Sequence, residues 1–175
     1  MNKTIGIVAG SYDPVTWGHI GLFRQAVKLV NELHIVVGVN PSKRYMLADE
    51  VRLRLVTEVL DLELTAEERA RTHVHYLQDD LLVHFADELG ATHLVRGIRN
   101  SQDLFYEENI AGVNAKIAPH IQTVYMMTTS DLACVSSSAA RELLRKPRWQ
   151  KNLLSFVHPL VLEELAKVRE TEGIK

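Results

Sequence analysis

The sequence predicts a doubly wound α/β fold built on a five-stranded parallel sheet. Five short apolar segments alternate with longer segments whose apolar residues recur at helical spacing, an alternation typical of βαβ units. The clearest apolar segment, 33–39, is almost continuously hydrophobic, which suits a strand buried on both faces. Because crossovers between parallel strands are right-handed, we expect the loops that follow the strands to meet at one edge of the sheet.

Each predicted strand rests on a short run rich in apolar or β-branched residues. The first run leads directly into a loop that contains Gly10, and the second is rich in valine. The third and fourth are the shortest, with four residues each. The predicted strands are 5–9, 33–39, 74–77, 92–95 and 121–127.

The segments between the strands have the spacing of amphipathic helices. In the second of them, Val51, Leu55, Val59 and Leu62 fall on one predicted apolar face. Gly90 ends the third, as glycine commonly does just beyond a helix. The polar stretch 61–72 is expected to be a solvated helix end or loop. Five of the predicted helices are 19–31, 48–62, 80–89, 102–117 and 156–168. One more, between the last two of these, is capped by Ser136 or Ser137 and extends to Leu144.

Length and composition indicate one globular domain over residues 1–175. Apolar residues make up 46% and charged residues 24% of the chain, and the formal net charge of -2 gives no support to a nucleic-acid binder. The single cysteine, Cys134, excludes an intrachain disulfide and fits a reducing compartment. The sequence shows neither a signal-peptide core nor an apolar run long enough to span a membrane. We therefore expect a cytoplasmic protein that does not act at a membrane.

The loop after the first strand has the layout of a nucleotide-phosphate site. Gly10 permits a sharp turn and a close approach of ligand to backbone. Ser11 offers a hydroxyl and an N–H group, while Gly18 and His19 stand where the next helix begins. A helix N-terminus attracts anions through its free N–H groups and its dipole. The alternative is an ordinary strand-to-helix turn with a capping histidine.

Further polar clusters follow the other strands, at the edge where open parallel sheets bind ligands. Lysine and arginine suit phosphates, and serine caps helices, but each cluster also has a structural interpretation. The lysine and arginine after the second strand could be surface charges, the later arginines could pair with nearby carboxylates, and the serines could form a plain cap. The clusters are Lys43 and Arg44; Arg96, Gly97, Arg99, Asp103 and Glu107; and Ser136, Ser137 and Ser138.

Several familiar site patterns are absent or weak. The sequence contains neither G-x-x-x-x-G-K-[ST], nor G-x-G-x-x-G, nor G-x-S-x-G. Ser11, Asp13 and His19 could suggest a hydrolase triad, but Asp13 precedes a proline in a tight turn and nothing identifies an oxyanion hole. His73 and His75 lie on one face of a strand, as metal ligands sometimes do. With no third ligand evident, a surface pair is the preferred interpretation.

The motifs resemble those of a known enzyme family. Gly10-Ser11-Tyr12-Asp13-Pro14 followed by Gly18-His19 resembles the G-T/S-F/Y-D-P…G-H signature of the nucleotidyltransferase superfamily. Four further motifs narrow the resemblance to the bacterial phosphopantetheine adenylyltransferase family, and the match extends over essentially the whole chain. These motifs are Pro41-Ser42-Lys43, Arg96-Gly97-Ile98-Arg99, Asp103 with Tyr106-Glu107, and Val135-Ser136-Ser137-Ser138.

The resemblance implies a Rossmann-like nucleotidyltransferase fold and a defined reaction. Family members transfer the adenylyl group of ATP to 4′-phosphopantetheine and release dephospho-coenzyme A and pyrophosphate. They use Mg²⁺ held mainly by the ATP phosphates, usually assemble as hexamers, and are often inhibited by coenzyme A. The side-chain ligands of Mg²⁺ stay unknown at this point.

The resemblance also implies roles for individual residues. His19, Lys43 and Arg99 are the expected catalytic residues. Ser11 is expected to contact the acceptor phosphate, and the three serines are expected to cap a helix that points at the β- and γ-phosphates. The expected substrate-binding residues are Gly10, Ser11, Tyr12, Asp13, Gly18, His19, Lys43, Leu82, Arg96, Gly97, Arg99, Asp103, Glu107, Ser136, Ser137 and Ser138.

Two other functions stay open on the sequence. One is a relative in the same superfamily that adenylylates nicotinamide mononucleotide or cytidylylates a polyol phosphate. The other is a non-catalytic module that binds a nucleotide or senses coenzyme A. The chain also departs from the common family pattern at Ala9, where proline is usual, and at Leu132, where an aromatic residue is common.

Overall fold

A computed structural model describes residues 3–39, 43–78, 80–171 and 173. Within them, five strands form one parallel sheet: β1 (Ile5–Gly10), β2 (Glu32–Val39), β3 (Thr72–Gln78), β4 (His93–Ile98) and β5 (Gln122–Met127). Their order across the sheet is β3-β2-β1-β4-β5. The chain therefore reverses its direction of winding between β1 and β4, which creates a topological switch point where such sheets bind ligands. The predicted doubly wound parallel sheet is confirmed.

The helices follow the predicted sequence of elements, with two additions. They are α1 (Trp17–Leu29), α2 (Asp49–Glu63), α3 (Ala66–Ala70), α4 (Leu82–Glu88), α5 (Ser101–Ile117), α6 (Ser137–Leu144), α7 (Trp149–Leu153) and α8 (Pro159–Thr171). None of these helices combines the length and the apolarity that crossing a bilayer requires.

The short helices α3 and α7 are missing from the sequence prediction. Residues 66–70 lie in the stretch expected to be a helix end or loop, yet they form a helical turn. Thr65 and Glu68 form a reciprocal cap: Thr65 N–H donates to Glu68 at 3.0 Å, and Glu68 N–H donates to the Thr65 hydroxyl at 3.3 Å. A T-x-x-E pattern of this kind indicates the start of a helix. The residues around it are strongly polar, so the sequence analysis assigned them to a helix end or loop.

Strand β4 is longer than predicted. The sequence places Arg96, Gly97 and Ile98 in the loop after the strand, but all three belong to β4. Ile98 is buried and pairs with Met127 of β5, so the sheet continues through it. As a result, Arg96 projects from the sheet itself, and only Arg99 follows the strand.

Two apolar clusters pack against the two faces of the sheet. The larger cluster unites α1, α2, α6, α7 and α8 with β1 and β2, and it includes Val157, Val161 and Leu165 near the end of the chain. The smaller cluster joins Ile7 and Val36 to Val83 and Ala86 of α4. Helices on both faces explain why β2 is almost continuously apolar.

The buried face of α2 differs from the predicted one. Leu62 is 62% exposed, whereas Arg52 is fully buried beside Leu55 and Val59. The Arg52 guanidinium donates to the Ser11 carbonyl at 2.6 Å, to the Gly38 carbonyl at 3.3 Å and to the Asp49 carboxylate at 2.5 Å. It therefore ties the loop after β1 and the end of β2 to α2, at the edge where the predicted site lies.

We expect Arg52→Ala to destabilise the fold by about 3 kcal/mol, because it leaves buried backbone carbonyls without a donor and opens a cavity. Arg54 on the same helix is a matched control: its side chain is 44% exposed and pairs with Glu58 and Glu164. Arg54→Ala should cost less than about 1 kcal/mol. Urea unfolding monitored by circular dichroism measures both, and equal losses would contradict the role given to Arg52.

Candidate active site

A cleft of about 560 Å³ opens at the carboxyl edge of the sheet, across the switch point. Its walls come from the end of β1, the following loop, the start of α1, the residues after β2, the end of β4, α5 and the start of α6. The clusters that the sequence placed after different strands therefore meet in one cavity. Its size suits a nucleotide or a ligand of comparable volume.

Nearly all the predicted site residues line this cleft. The exception is Leu82, which begins α4 and packs against the smaller apolar cluster on one face of the sheet. Residues 40–42, which include Pro41 and Ser42 of one family motif, lie outside the described residues. The predicted residues found in the cleft lining are Gly10, Ser11, Tyr12, Asp13, Gly18, His19, Lys43, Arg96, Gly97, Arg99, Asp103, Glu107, Ser136, Ser137 and Ser138.

The loop after β1 turns at Tyr12 rather than at Gly10. Tyr12 has a φ of 46°, and the Asp13–Pro14 peptide bond is cis. Gly10 makes room instead, since a Cβ there would lie 2.9 Å from the buried Tyr12 ring. At Gly18 a Cβ would lie 2.8 Å from the Val135 carbonyl, so glycine allows the start of α1 to approach the segment before α6. The two glycines thus allow the strand β1 to pack against Tyr12 and the start of α1 to pack against the segment before α6.

Asp13 is engaged with the protein backbone. Its carboxylate is buried and accepts hydrogen bonds from the N–H groups of Met46 and Leu47, both at 2.9 Å. These contacts hold the segment after β2, which includes Lys43, against the loop after β1. The Asp13 side chain therefore shapes the cleft through other residues, and the hydrolase-triad interpretation finds no support in its contacts.

His19 is positioned as a neutral hydrogen-bond donor. Thr16 N–H donates to His19 Nδ1 at 3.0 Å, which leaves the ring proton on Nε2 at the opposite edge of the ring. The Tyr12 ring packs edge-on against the imidazole, with the ring centroids 5.1 Å apart. Burial, with a smaller contribution from the charge of Arg99, lowers the pKa of His19 from 6.5 to about 4. Without ligand, His19 is thus uncharged at neutral pH and can donate from Nε2.

Two arginines of the cleft are paired with carboxylates from α5. Arg96 donates to both oxygens of Glu107, at 2.6 and 2.7 Å, and to the Ala9 carbonyl at 3.2 Å. Arg99 likewise binds both oxygens of Asp103, at 2.7 and 3.1 Å. The sequence left this pairing open as an alternative, and the structure shows it. Each guanidinium carries five N–H donors in a fixed plane, so the pairing orients it and leaves donors for a phosphate.

The serine triplet forms the N-terminus of α6, as predicted. The Ser136 hydroxyl caps the helix by accepting from Ala139 N–H at 3.2 Å. The Ser137 hydroxyl donates to the Pro14 carbonyl at 2.8 Å and so joins α6 to the loop after β1. All three serines line the cleft, and the positive end of the helix dipole lies at this wall.

The structure adds residues that the sequence analysis did not select. Arg141 of α6 lines the cleft, donates to the Asp13 carbonyl, and donates to the Ser138 hydroxyl at 3.1 Å. Tyr45 also lines the cleft, and its ring packs against the Arg52 guanidinium with 4.1 Å from Cζ to the ring centroid. Arg141 follows Ser138 by one helical turn, which is the signal that could have identified it.

A separate histidine cluster lies at the opposite edge of the sheet. His73 and His75 do not form an isolated surface pair, because Glu32 and His34 of the neighbouring strand join them. The ligand atoms of Glu32, His34 and His73 lie within 4.8 Å of one another. Two of these three potential ligands, Glu32 and His34, belong to β2, and they could be found only through strand pairing.

Comparison with known proteins defines the class first. Residues 7–143 match the cytidylyltransferase-like family, so the chain belongs to this family of nucleotidyltransferases. Among solved structures, the nicotinic acid mononucleotide adenylyltransferase of Plasmodium falciparum complexed with NaAD has the same fold, with a TM-score of 0.73. It is 18% identical, and the match covers 96% of this chain and 97% of that one. At that identity the likeness shows the fold alone.

Curated relatives narrow the assignment. The phosphopantetheine adenylyltransferase of Methylobacterium nodulans is 36% identical over 94% of this chain and 96% of its own length. That of Streptococcus pyogenes serotype M5 is 34% identical over 97% of this chain and 99% of its own length. The chain therefore belongs to the phosphopantetheine adenylyltransferase family, and the resemblance seen in its motifs is confirmed.

The low pKa of His19 predicts an acid-sensitive fold. Because unfolded His19 takes up a proton near pH 6.5 and folded His19 only near about pH 4, the unfolded state binds more protons between these values. Stability is therefore lost as the pH falls through this window. The amide oxygen of the His19→Gln variant can still accept from Thr16. Over this pH window, the variant should lose on the order of 2 kcal/mol less free energy of unfolding than the wild type does.

Urea unfolding at several pH values between neutral and about pH 4 measures this difference. His120→Gln is the control, because His120 is an exposed histidine whose side chain binds Asp87. If His19→Gln and His120→Gln lose stability in parallel with the wild type, His19 does not have a depressed pKa.

Proposed function

We propose that this enzyme transfers the adenylyl group of ATP to 4′-phosphopantetheine, giving dephospho-coenzyme A and pyrophosphate in coenzyme A biosynthesis. The observation that carries the proposal is the convergence of His19, Lys43, Arg99 and the N-terminus of α6 on one cleft. The full-length curated relatives bear the name of this activity. The cleft offers several phosphate-binding groups at once, as a reaction between two phosphorylated substrates requires.

The proposed reaction is an in-line displacement at the α-phosphorus of ATP. An oxygen of the acceptor phosphate forms the new bond to that phosphorus, and the bond to the pyrophosphate oxygen breaks. The acceptor phosphate is already an anion at neutral pH, so the enzyme needs no general base. Positioning of the two phosphates and stabilisation of the charge on the transferring group supply the catalysis.

Each proposed contact follows from a geometry described above. His19 donates from Nε2 to an ATP phosphate oxygen, since its Nδ1 is already occupied by Thr16. The N-terminus of α6 receives the β- and γ-phosphates. Lys43 is exposed at the side of the cleft formed after β2, where its flexible chain can reach the acceptor phosphate. Arg99, held by Asp103, contacts the nucleotide.

The residues of the cleft are consistent with a magnesium ion that enters bound to the nucleotide. Asp103 and Glu107 are bound to arginines, and Asp13 is bound to backbone N–H groups. The carboxylates among the described cleft residues are therefore committed to other partners, and we propose that the ATP phosphates supply the principal ligands of Mg²⁺. When bound, Mg²⁺ neutralises phosphate charge. The chain's own part is to hold these phosphates through α6 and His19.

We further propose that residues 1–175 form one nucleotidyltransferase domain that acts in the cytoplasm. The larger apolar cluster supports the first point, because it packs α8 onto the same core as β1 and β2. The exposed free thiol of Cys134 supports the second, since it fits a reducing compartment. A net charge of -2 gives no basis for a nucleic-acid partner.

The first experiment measures pyrophosphate release with ATP, Mg²⁺ and 4′-phosphopantetheine. We expect acceptor-dependent release and dephospho-coenzyme A of the correct mass. Nicotinamide mononucleotide and a polyol phosphate test the related activities, and preference for either would overturn the proposal. ATP binding without pyrophosphate release from any acceptor would identify a binding module instead.

Two variants test the catalytic contacts. His19→Ala should lower turnover on the order of 10²–10³-fold, by analogy with the loss of one preorganised oxyanion donor. Lys43→Ala should lower kcat and raise the KM for 4′-phosphopantetheine more than the KM for ATP. His120→Ala controls for loss of a histidine outside the cleft. Wild-type kinetics in either cleft variant would remove that residue from the mechanism.

We also propose that the enzyme assembles as a homohexamer and that coenzyme A inhibits it. None of the residues of α5 is fully buried, and Tyr106, Val113 and Ile117, which recur along one side of the helix, are 63%, 60% and 44% exposed. A helix that leaves so much apolar surface uncovered favours contact with another copy. Coenzyme A shares the pantetheine arm of the acceptor and can compete for the same cleft.

Sedimentation velocity tests the assembly. The wild type should sediment as six chains, and Val113→Glu should sediment as a smaller species because it places a charge in the contact. Ala115→Glu, on another side of the same helix and also exposed, should behave as wild type. A monomeric wild type, or an unchanged Val113→Glu assembly, would contradict this interface.

A further inference from the structure

Four potential metal-binding side chains lie on one face of the sheet, at the edge opposite the cleft. Parallel pairing sets His34 of β2 beside His73 of β3. Glu32 precedes His34 by two residues and His75 follows His73 by two, so strand alternation places all four on the same face. Since β2 has eight residues, this cluster lies on the order of 20 Å from the carboxyl end of the strand.

The ligand atoms of three of these side chains lie within 4.8 Å of one another, and two of the three distances are close to those around one small ion. Glu32 Oε1 lies 3.1 Å from His34 Nε2 and 3.1 Å from His73 Nε2. Two ligand atoms on a tetrahedral zinc ion, each about 2.0–2.1 Å from the metal, are about 3.3 Å apart. An ion can therefore replace the two hydrogen bonds to Glu32, and the exposed His73 side chain can move to complete the site.

His75 orients His34 for this purpose. Its Nε2 lies 2.7 Å from His34 Nδ1, and its ring packs edge-on against Phe85 of α4 with 5.2 Å between the centroids. When His34 Nδ1–H donates to His75, the lone pair of His34 is left on Nε2, which faces Glu32. Metal-bound histidines characteristically make such a second hydrogen bond, which fixes the tautomer and the ring orientation.

The cluster combines a rigid part with an accessible part. His34 is 4% exposed and cannot turn away, while the His73 side chain is 45% exposed and gives an ion a path from solvent. Lys3 binds the other carboxylate oxygen of Glu32 and, at 61% exposure, can move aside when a cation enters. The exposed side leaves a fourth position for water.

We propose that Glu32, His34 and His73 bind a zinc-type divalent ion, with His75 as a positioning residue. Two imidazoles and one carboxylate suit Zn²⁺ or Co²⁺, whereas Mg²⁺ prefers oxygen ligands. This site is separate from the Mg²⁺ that ATP carries and does not depend on the proposed reaction. By linking β2 to the edge strand β3, a bound ion stabilises the folded state over the unfolded one.

The test measures metal binding to the full chain. The protein is first treated with a chelator to strip any bound metal, and the chelator is then removed. Zn²⁺ is titrated into the protein at neutral pH in a buffer with excess Mg²⁺, and binding is measured by isothermal titration calorimetry. We expect one Zn²⁺ ion to bind tightly to each chain. Co²⁺ should give the strong visible absorption of a four-coordinate ion with nitrogen and oxygen ligands. Zn²⁺ should also raise the melting temperature.

Variants locate the ion. His73→Gln should weaken Zn²⁺ binding by at least about 100-fold and abolish the Co²⁺ spectrum, and His75→Gln should weaken it about 10–100-fold. Glu32→Gln, which retains the shape of the side chain, provides a second ligand variant if His73→Gln is misfolded by circular dichroism. The controls His120→Gln, outside the cluster, and His19→Gln, in the cleft, should bind Zn²⁺ as the wild type does.

Three outcomes would overturn the proposal. In the first, the wild type binds no Zn²⁺ ion tightly. In the second, a folded ligand variant binds Zn²⁺ with the same affinity as His120→Gln. In the third, His19→Gln loses the tightly bound Zn²⁺ ion. The last result would place the ion in the cleft rather than in the histidine cluster.

Discussion

The hydrogen bonds that hold the loop after β1 are the constraint on which the site depends. Arg52, buried beneath the loop, binds the Ser11 carbonyl, and the buried Asp13 carboxylate binds the backbone after β2. Arg141 of α6 binds the Asp13 carbonyl from the other side. These contacts fix one short loop between four elements, namely β1, β2, α2 and α6. The loop in turn positions His19, and its Pro14 carbonyl accepts a hydrogen bond from the Ser137 hydroxyl of α6.

This arrangement provides a cleft organised before any ligand enters. Arg96 and Arg99 are oriented by carboxylates from α5, and Thr16 sets the tautomer of His19. In the proposed reaction, groups that are oriented in advance need little reorganisation, and such preorganisation is the usual source of catalysis in phosphoryl-type transfer. A neutral imidazole also suits this cleft, because it can donate a hydrogen bond without placing a second positive charge beside Arg99.

The two edges of the same sheet carry different chemistry. The carboxyl edge combines cations, N–H groups and a helix N-terminus, all of which suit phosphate oxygens. The opposite edge combines imidazoles and a carboxylate, which suit a borderline metal ion. The strands separate the two sets, so a cation bound at the histidine cluster would be well removed from the Mg²⁺ that we propose ATP carries. The edge strand β3 is the element that such an ion would secure.

Apolar periodicity and loop glycines are local signals, so they predicted the order of elements, the parallel sheet and most residues of the cleft lining. The resemblance in motifs then defined the family. The folded chain was needed to show that Arg52 is buried, that Tyr12 rather than Gly10 makes the turn, and that Leu82 packs against the smaller apolar cluster. Contacts between distant segments decide these features, and periodicity does not record them. The histidine cluster has the same origin: strand pairing brings Glu32 and His34 to His73, across a separation in sequence that no local pattern spans.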